Sequence, residues 1–179
     1  MSEKPRITRH QNGQVWQEAY YRNRRLHKED GPALTIYYET GQTKLVQYWQ
    51  NGEKHRCEGA AATSWYPKGQ IDIEEYWLNG ECHRDDGPAE IGWFENGIKD
   101  FECYYRNGAL HRVDGPAIVD WDESGAVVEL TSWVAGWDRN MEAATAINFL
   151  GISADPDQWS AEDRAAFSQH FIQKCEAAL

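Results

Sequence analysis

The residues best suited to chemistry are four histidines, His27, His55, His83 and His111. Each is followed three positions later by an acid: Asp30, Glu58, Asp86 or Asp114. Imidazole beside carboxylate is the material of general acid–base catalysis and of zinc ligation. The spacing argues against both. The pairs recur every 28 residues, and a residue repeated once per unit serves the unit's own fold, whereas a catalytic constellation occurs once. If the units are β-hairpins side by side, neighbouring histidines stand about 9–10 Å apart, two strand spacings. Ligands of one zinc ion lie about 2.0–2.1 Å from the metal. The histidine and acidic columns are therefore expected to be structural, bonding loop backbone or the acid of their own unit. No catalytic residue, metal site or cofactor is expected, and no GxSxG, HExxH or phosphate-binding glycine loop is present. Cys57, Cys82, Cys103 and Cys175 show no CxxC pairing and read as reduced thiols of a cytosolic protein.

The elements that must position these residues are legible as repeats. Four segments align without a gap: NRRLHKEDGPA at 23–33, NGEKHRCEGAA at 51–61, NGECHRDDGPA at 79–89 and NGALHRVDGPA at 107–117. They define units 20–47, 48–75, 76–103 and 104–131, with half-units on either side. After each DGPA element the residues alternate, with Ala33, Thr35 and Tyr37 on one face. The same face holds Trp65, Trp93 and Trp121 in the later units. It is expected to be the core side, and the Trp column to pack rather than to stack bases. A glycine turn and a return strand follow, ending in an aromatic pair and a tight Asn-Gly turn. Unit two has Glu58-Gly59-Ala60 in place of Asp-Gly-Pro, which predicts a looser loop. The expected fold is mainly β: tandem 28-residue β-hairpin repeats in an antiparallel meander or flat solenoid over 9–137. Residues 1–8 are expected to be a flexible N-terminus.

The pattern [YW]-x-N-G-x-x-H-R-x-D-G-P-A resembles the MORN-variant repeats of bacterial and phage proteins, some of which are antitoxin components. The resemblance covers Tyr20 to Thr131. It implies β-hairpins stacked into a long twisted sheet that serves as a binding platform.

Composition changes after Trp137. Met141, Ala144, Ile147 and Leu150 are near helical spacing, and Gly151 is a natural stop. Ser160 with Asp163 can cap a second helix whose stripe is Phe167, Phe171, Cys175 and Leu179. Residues 138–179 are thus expected to form a two-helix cap over the apolar last hairpin, as repeat arrays require.

The chain has 179 residues and a net charge of −11, with 41% hydrophobic residues and nine Trp. The aromatic load excludes wholesale disorder. The acidity disfavours direct nucleic-acid binding and docking on anionic membranes. No apolar run approaches the ~20 residues of a membrane span, and no secretory signal is evident. The charge is uneven: residues 76–131 hold four cations against twelve carboxylates, a net of −8, while residues 20–75 are neutral. Asp120, Asp122 and Glu123 cluster at one hairpin turn. Asp72, Glu74, Asp100 and Glu102 are expected on one face of adjacent return strands, with Tyr38, Tyr66 and Phe94 facing outward. These residues form a candidate partner-binding face. The expected function is a non-enzymatic inhibitor in a bacterial host cytosol, docking on a basic, nucleic-acid-acting protein, as in phage anti-defence or toxin immunity. The alternative is a scaffolding module that self-associates through a sheet edge or the C-terminal helices.

Overall fold

The computed structural model describes residues 4–134, 137–139, 143, 146, 147, 149–153 and 155–177, with 137, 138 and 173–177 by backbone alone. Ten strands form one antiparallel sheet in which each strand pairs with its neighbours in sheet-strand sequence. They are Arg6–Arg9, Val15–Ala19, Leu34–Tyr37, Thr43–Gln47, Ala62–Trp65, Ile71–Glu75, Glu90–Trp93, Lys99–Cys103, Ile118–Trp121 and Val127–Thr131. The chain is mainly β, a long hairpin meander, as its alternation predicts. The sheet begins at Arg6, inside the segment expected to be flexible.

A short ribbon follows each long hairpin. The ribbons pair Tyr21–Arg22 with Arg25–Leu26, Trp49–Gln50 with Glu53–Lys54, Trp77–Leu78 with Glu81–Cys82, Tyr105–Arg106 with Ala109–Leu110, and Trp133–Val134 with Trp137–Asp138. Their turns need two successive residues of positive φ, which is why Asn-Gly recurs there. Asn51 and Gly52 have φ of 53° and 92°, and Arg24 takes the glycine position of the first ribbon at 64°.

Each long hairpin carries a β-bulge. Register shifts at Thr8/Arg9, Ile36/Tyr37, Ile71/Ile73, Gly92/Trp93 and Asp120/Trp121 leave one extra residue on each return strand. Those extra residues are Trp16, Lys44, Asp72, Asp100 and Val128.

Directly paired residues share a face, and two of the rows that the register sets across the sheet mark its two faces. One runs Glu18, Thr35, Val46, Thr63, Glu74, Ile91, Glu102, Val119, Leu130. We call it the inner face, because Thr35, Thr63, Glu102 and Val119 are buried on it. The other runs Gln17, Ile36, Leu45, Ser64, Ile73, Gly92, Phe101, Asp120, Glu129 and forms the outer face. The alanine that precedes each first strand is fully buried: Ala33, Ala61, Ala89 and Ala117 are all 0% exposed. Each passes its carbonyl to the aromatic residue starting its own unit, as in Tyr20 N–H to Ala33 O at 2.8 Å. Trp121 is buried, while Tyr37, Trp65 and Trp93 are half-buried.

The C-terminal helix spans Ala161–Ala177. Ser160 and Asp163 close the expected capping box: Asp163 N–H donates to Ser160 Oγ at 3.1 Å, and Ser160 N–H to Asp163 Oδ2 at 2.8 Å. Phe167 and Phe171 are fully buried with Trp159, Ala143 and Ala146, and Val134 packs against them. Residues 143, 146, 147, 149 and 150 are also helical, and Gly151 at φ 65° ends that segment. Met141, Ala144 and Leu179 lie outside the described residues, as does the side chain of Cys175. Among the described residues, no helix is long and apolar enough to cross a membrane.

Candidate functional site

The histidine column forms a ladder between units. His27 Nδ1 accepts the backbone N–H of Asn51 at 3.0 Å, His55 that of Asn79 at 3.1 Å, and His83 that of Asn107 at 3.0 Å. A ring nitrogen that accepts carries no proton, so each of these rings holds its proton on Nε2. Each of these three histidines thereby pins the next unit's tight turn, so the backbone it bonds belongs to the following unit and not to its own. The carboxylate neighbour differs from expectation. His27 Nε2 lies 3.8 Å from Glu29 and His83 Nε2 3.4 Å from Asp85, two positions on rather than three. His111 has its pKa held below 6.5 by burial and by the charge of Arg106.

Two of the acids three positions on serve another side chain. Asp86 accepts from Arg84 Nε at 2.9 Å and Asp114 from Arg112 Nε at 2.8 Å, while Asp30 and Glu58 are exposed in their loops. These arginines belong to a column that position-by-position reading of the histidines passed over: Lys28, Arg56, Arg84, Arg112. Each cation lies 3.8–4.0 Å over the ring that opens its unit, Tyr20, Tyr48, Tyr76 or Tyr104. Each arginine also donates through Nη1 into its own loop: to Ala60 O at 2.9 Å, Pro88 O at 3.3 Å and Pro116 O at 3.1 Å. The loop of unit two also closes on Arg56, but through the carbonyl bond alone, without the carboxylate contact that Asp86 and Asp114 make in units three and four. In the last unit the glycine gives this stack its room, since a Cβ at Gly115 would lie 2.8 Å from Arg112 Cζ. The signal was present, an Arg directly after three of the four histidines. Between consecutive loops lie equivalent clefts of about 500 and 470 Å³, the first lined by Arg84, Asp85, Tyr104, His111 and Arg112. Their charges are engaged with one another, as in Arg106 with Asp85 at 3.2 Å.

The expected aromatic face is partly spent on the fold. Tyr38 OH donates to Trp65 O at 2.6 Å and Tyr66 OH to Trp93 O at 2.9 Å, tying each turn to the next hairpin. Phe94 occupies the same place in the third turn, half-buried and without a hydroxyl to donate.

The acidic residues divide between the faces. In an unbroken strand, residues 72 and 74 would share a face, as would 100 and 102. The bulge at Asp72 and Asp100 shifts the alternation by one. Glu74 and Glu102 therefore fall on the inner face and do not join Asp72 and Asp100. Tyr76 and Tyr104 donate to them at 3.4 and 3.2 Å. Glu102 is only 8% exposed. Lys99 Nζ bonds it at 2.7 Å, bonds Asp157 at 2.9 Å, and sits 4.7 Å over Trp121. Repeat alignment could not reveal this node, because Asp157 lies beyond the array.

Asp72 stays on the outer face, where Ser64 Oγ donates to it at 2.9 Å. Asp120 joins that face directly opposite Glu129. Partial burial and the charges of Glu129 and Asp100 push its carboxyl above the usual range. Asp122 is a turn anchor: Ser124 N–H, Ser124 Oγ and Ala126 N–H all donate to Oδ1, and these bonds hold its pKa low. Glu123 is exposed at the same turn. The arrangement gathers Asp72, Asp100, Asp120 and Glu129 across the return side of the outer face, where a cationic surface would relieve their repulsion.

No family model matches the chain, and no curated protein or solved structure matches it either.

Proposed function

We propose that this protein is a non-enzymatic binding platform that inhibits a basic, nucleic-acid-acting protein in a bacterial cytosol. On this reading the chain is a tandem array of 28-residue MORN-like units with a two-helix C-terminal cap. The observation that supports it is the gathering of Asp72, Asp100, Asp120 and Glu129 on the outer face, with Asp120 held above its ordinary pKa by partial burial and, after that, by the charges of Glu129 and Asp100. Self-repelling carboxylates on a rigid sheet favour a cationic partner, and a net of −8 over residues 76–131 draws one in at long range. An acidic face of this kind can occlude a nucleic-acid channel, which fits phage anti-defence and toxin immunity alike.

The test is capture of partners by the tagged full chain from nuclease-treated host lysate, in parallel with the double variant Asp100→Lys/Asp120→Lys. A stoichiometric basic protein held by the wild type and lost from the variant supports the proposal. Equal capture by both, or recovery of the bait alone, overturns it.

A further inference from the structure

We propose that the protein self-associates head to tail, the first strand of one copy adding to the last strand of another so that the meander continues across the junction. This goes beyond the binding-platform reading and shares only Glu129 with it. Its basis is that the two ends of the array are complementary halves of one unit. Inside the array a short ribbon precedes each long hairpin, as Trp49–Gln50 and Glu53–Lys54 precede Ala62–Trp65 and Ile71–Glu75. At the head, Arg6–Arg9 and Val15–Ala19 form a long hairpin; at the tail, Trp133–Val134 and Trp137–Asp138 form a ribbon. Joining the ends sets that ribbon before that hairpin.

Phase and direction agree. Arg6–Arg9 stands 28 residues before Leu34–Tyr37, and Val127–Thr131 stands 28 after Lys99–Cys103. The register of Phe101, Glu102 and Cys103 on Asp120, Val119 and Ile118, carried forward one unit, sets Glu129 opposite Thr8 of the second copy, Leu130 opposite Ile7 and Thr131 opposite Arg6. Ten alternating strands leave the two edges antiparallel, so the added strand has the required direction. Ile7, 45% exposed, would enter the inner row that buries Thr35, Thr63 and Val119. The described contacts of the C-terminal segment fall on Lys99, Ser132 and Val134, and the last strand keeps Val128 61% exposed and Glu129 exposed.

Charge selects this pairing over its alternatives. Residues 1–19 are net +1 and place Arg6 and Arg9 on the head edge, whereas the tail edge carries Glu129 within an acidic half. Arg6 of the second copy would lie diagonally from Glu129, within reach of long side chains. Two heads would oppose arginines, and two tails would oppose glutamates. The contact is heterologous and leaves an end free at each step, so it grows rather than closing at a dimer.

Sedimentation velocity of the purified full chain over a concentration series tests this. The expected result is progressive growth beyond a dimer that recedes as salt is added. Arg6→Glu and Glu129→Arg should each weaken association by about tenfold, the effect of reversing a cross-strand charge pair. Mixing the two variants should restore it, because the reversed head meets the reversed tail. Circular dichroism confirms that both variants fold. A monomer at every concentration, a dimer that does not grow, or a mixture no better than either variant alone overturns the proposal.

Discussion

Truncating Arg112 probes the stack that holds each loop. Arg112 is 7% exposed, with its guanidinium 3.8 Å over the Tyr104 ring. It donates to Pro116 O at 3.1 Å and to Asp114 at 2.8 Å, and Pro116 is fully buried. Arg112→Ala removes the donor serving a buried carbonyl, a loss of about 1–3 kcal/mol. The cation–π contact contributes about 1–2 kcal/mol where it is largely desolvated. The ion pair adds no more than about 1 kcal/mol, since Asp114 is half exposed. These contributions overlap, so the expected cost is about 3 kcal/mol. Arg112→Lys should cost about half that, because Lys28 already holds the equivalent place 3.9 Å over Tyr20 but a lysine cannot reproduce the forked donation. Arg84→Ala should cost about 1.5 kcal/mol, since Arg84 is a quarter exposed and its carbonyl bond is 3.3 Å. Urea unfolding followed by tryptophan fluorescence resolves these differences, a 3 kcal/mol loss moving the midpoint by about 1–3 M. An Arg112→Ala loss below about 1 kcal/mol, or no larger than that of Arg84→Ala, would refute the stacked-loop reasoning.

Other substitutions test other parts of the fold. His55→Ala and His83→Ala should each cost about 1 kcal/mol in denaturant unfolding, because each removes one acceptor from an equivalent turn; a severalfold difference between them would contradict the ladder. Asp120→Asn should raise stability at neutral pH by a few tenths of a kcal/mol, the small value reflecting the residue's partial exposure. The raised carboxyl contributes stability that is present below the ordinary 3.8 and lost as pH rises through the folded value. The advantage of Asn should therefore fade on acidification, and one that persists at pH 3 would count against this cause. Gly92→Ala should lower the melting temperature, because its Cβ would lie 2.3 Å from Phe101 Cε1, an overpacking cost of about 1–3 kcal/mol. Adding Phe101→Ala should make the Gly92→Ala step nearly neutral, and purely additive losses would exclude the clash.

The hairpin meander was legible because small, β-branched and aromatic residues alternate after each DGPA element, and because Asn-Gly has few homes other than a tight turn. The histidine role was legible from recurrence alone, though its partner was not, since the Asn51, Asn79 and Asn107 amides belong to the following unit. The division of the acids was not legible. A bulge leaves no residue-type signature, and Trp16, Lys44, Asp72, Asp100 and Val128 occupy equivalent bulge positions. One extra backbone residue moved Glu74 and Glu102 to the inner face and left Asp72 and Asp100 outside. The Lys99–Glu102–Asp157 node was also hidden, because it joins the array to a segment outside the repeat.

The central claim is that the acidic outer face binds a basic partner, and the most direct measurement is the salt dependence of that affinity. Isothermal titration of the captured partner should show binding to the wild type falling steeply between low and physiological salt. The Asp100→Asn/Asp120→Asn variant should bind more weakly at low salt and with a visibly flatter dependence. Identical slopes for the two proteins would contradict the account.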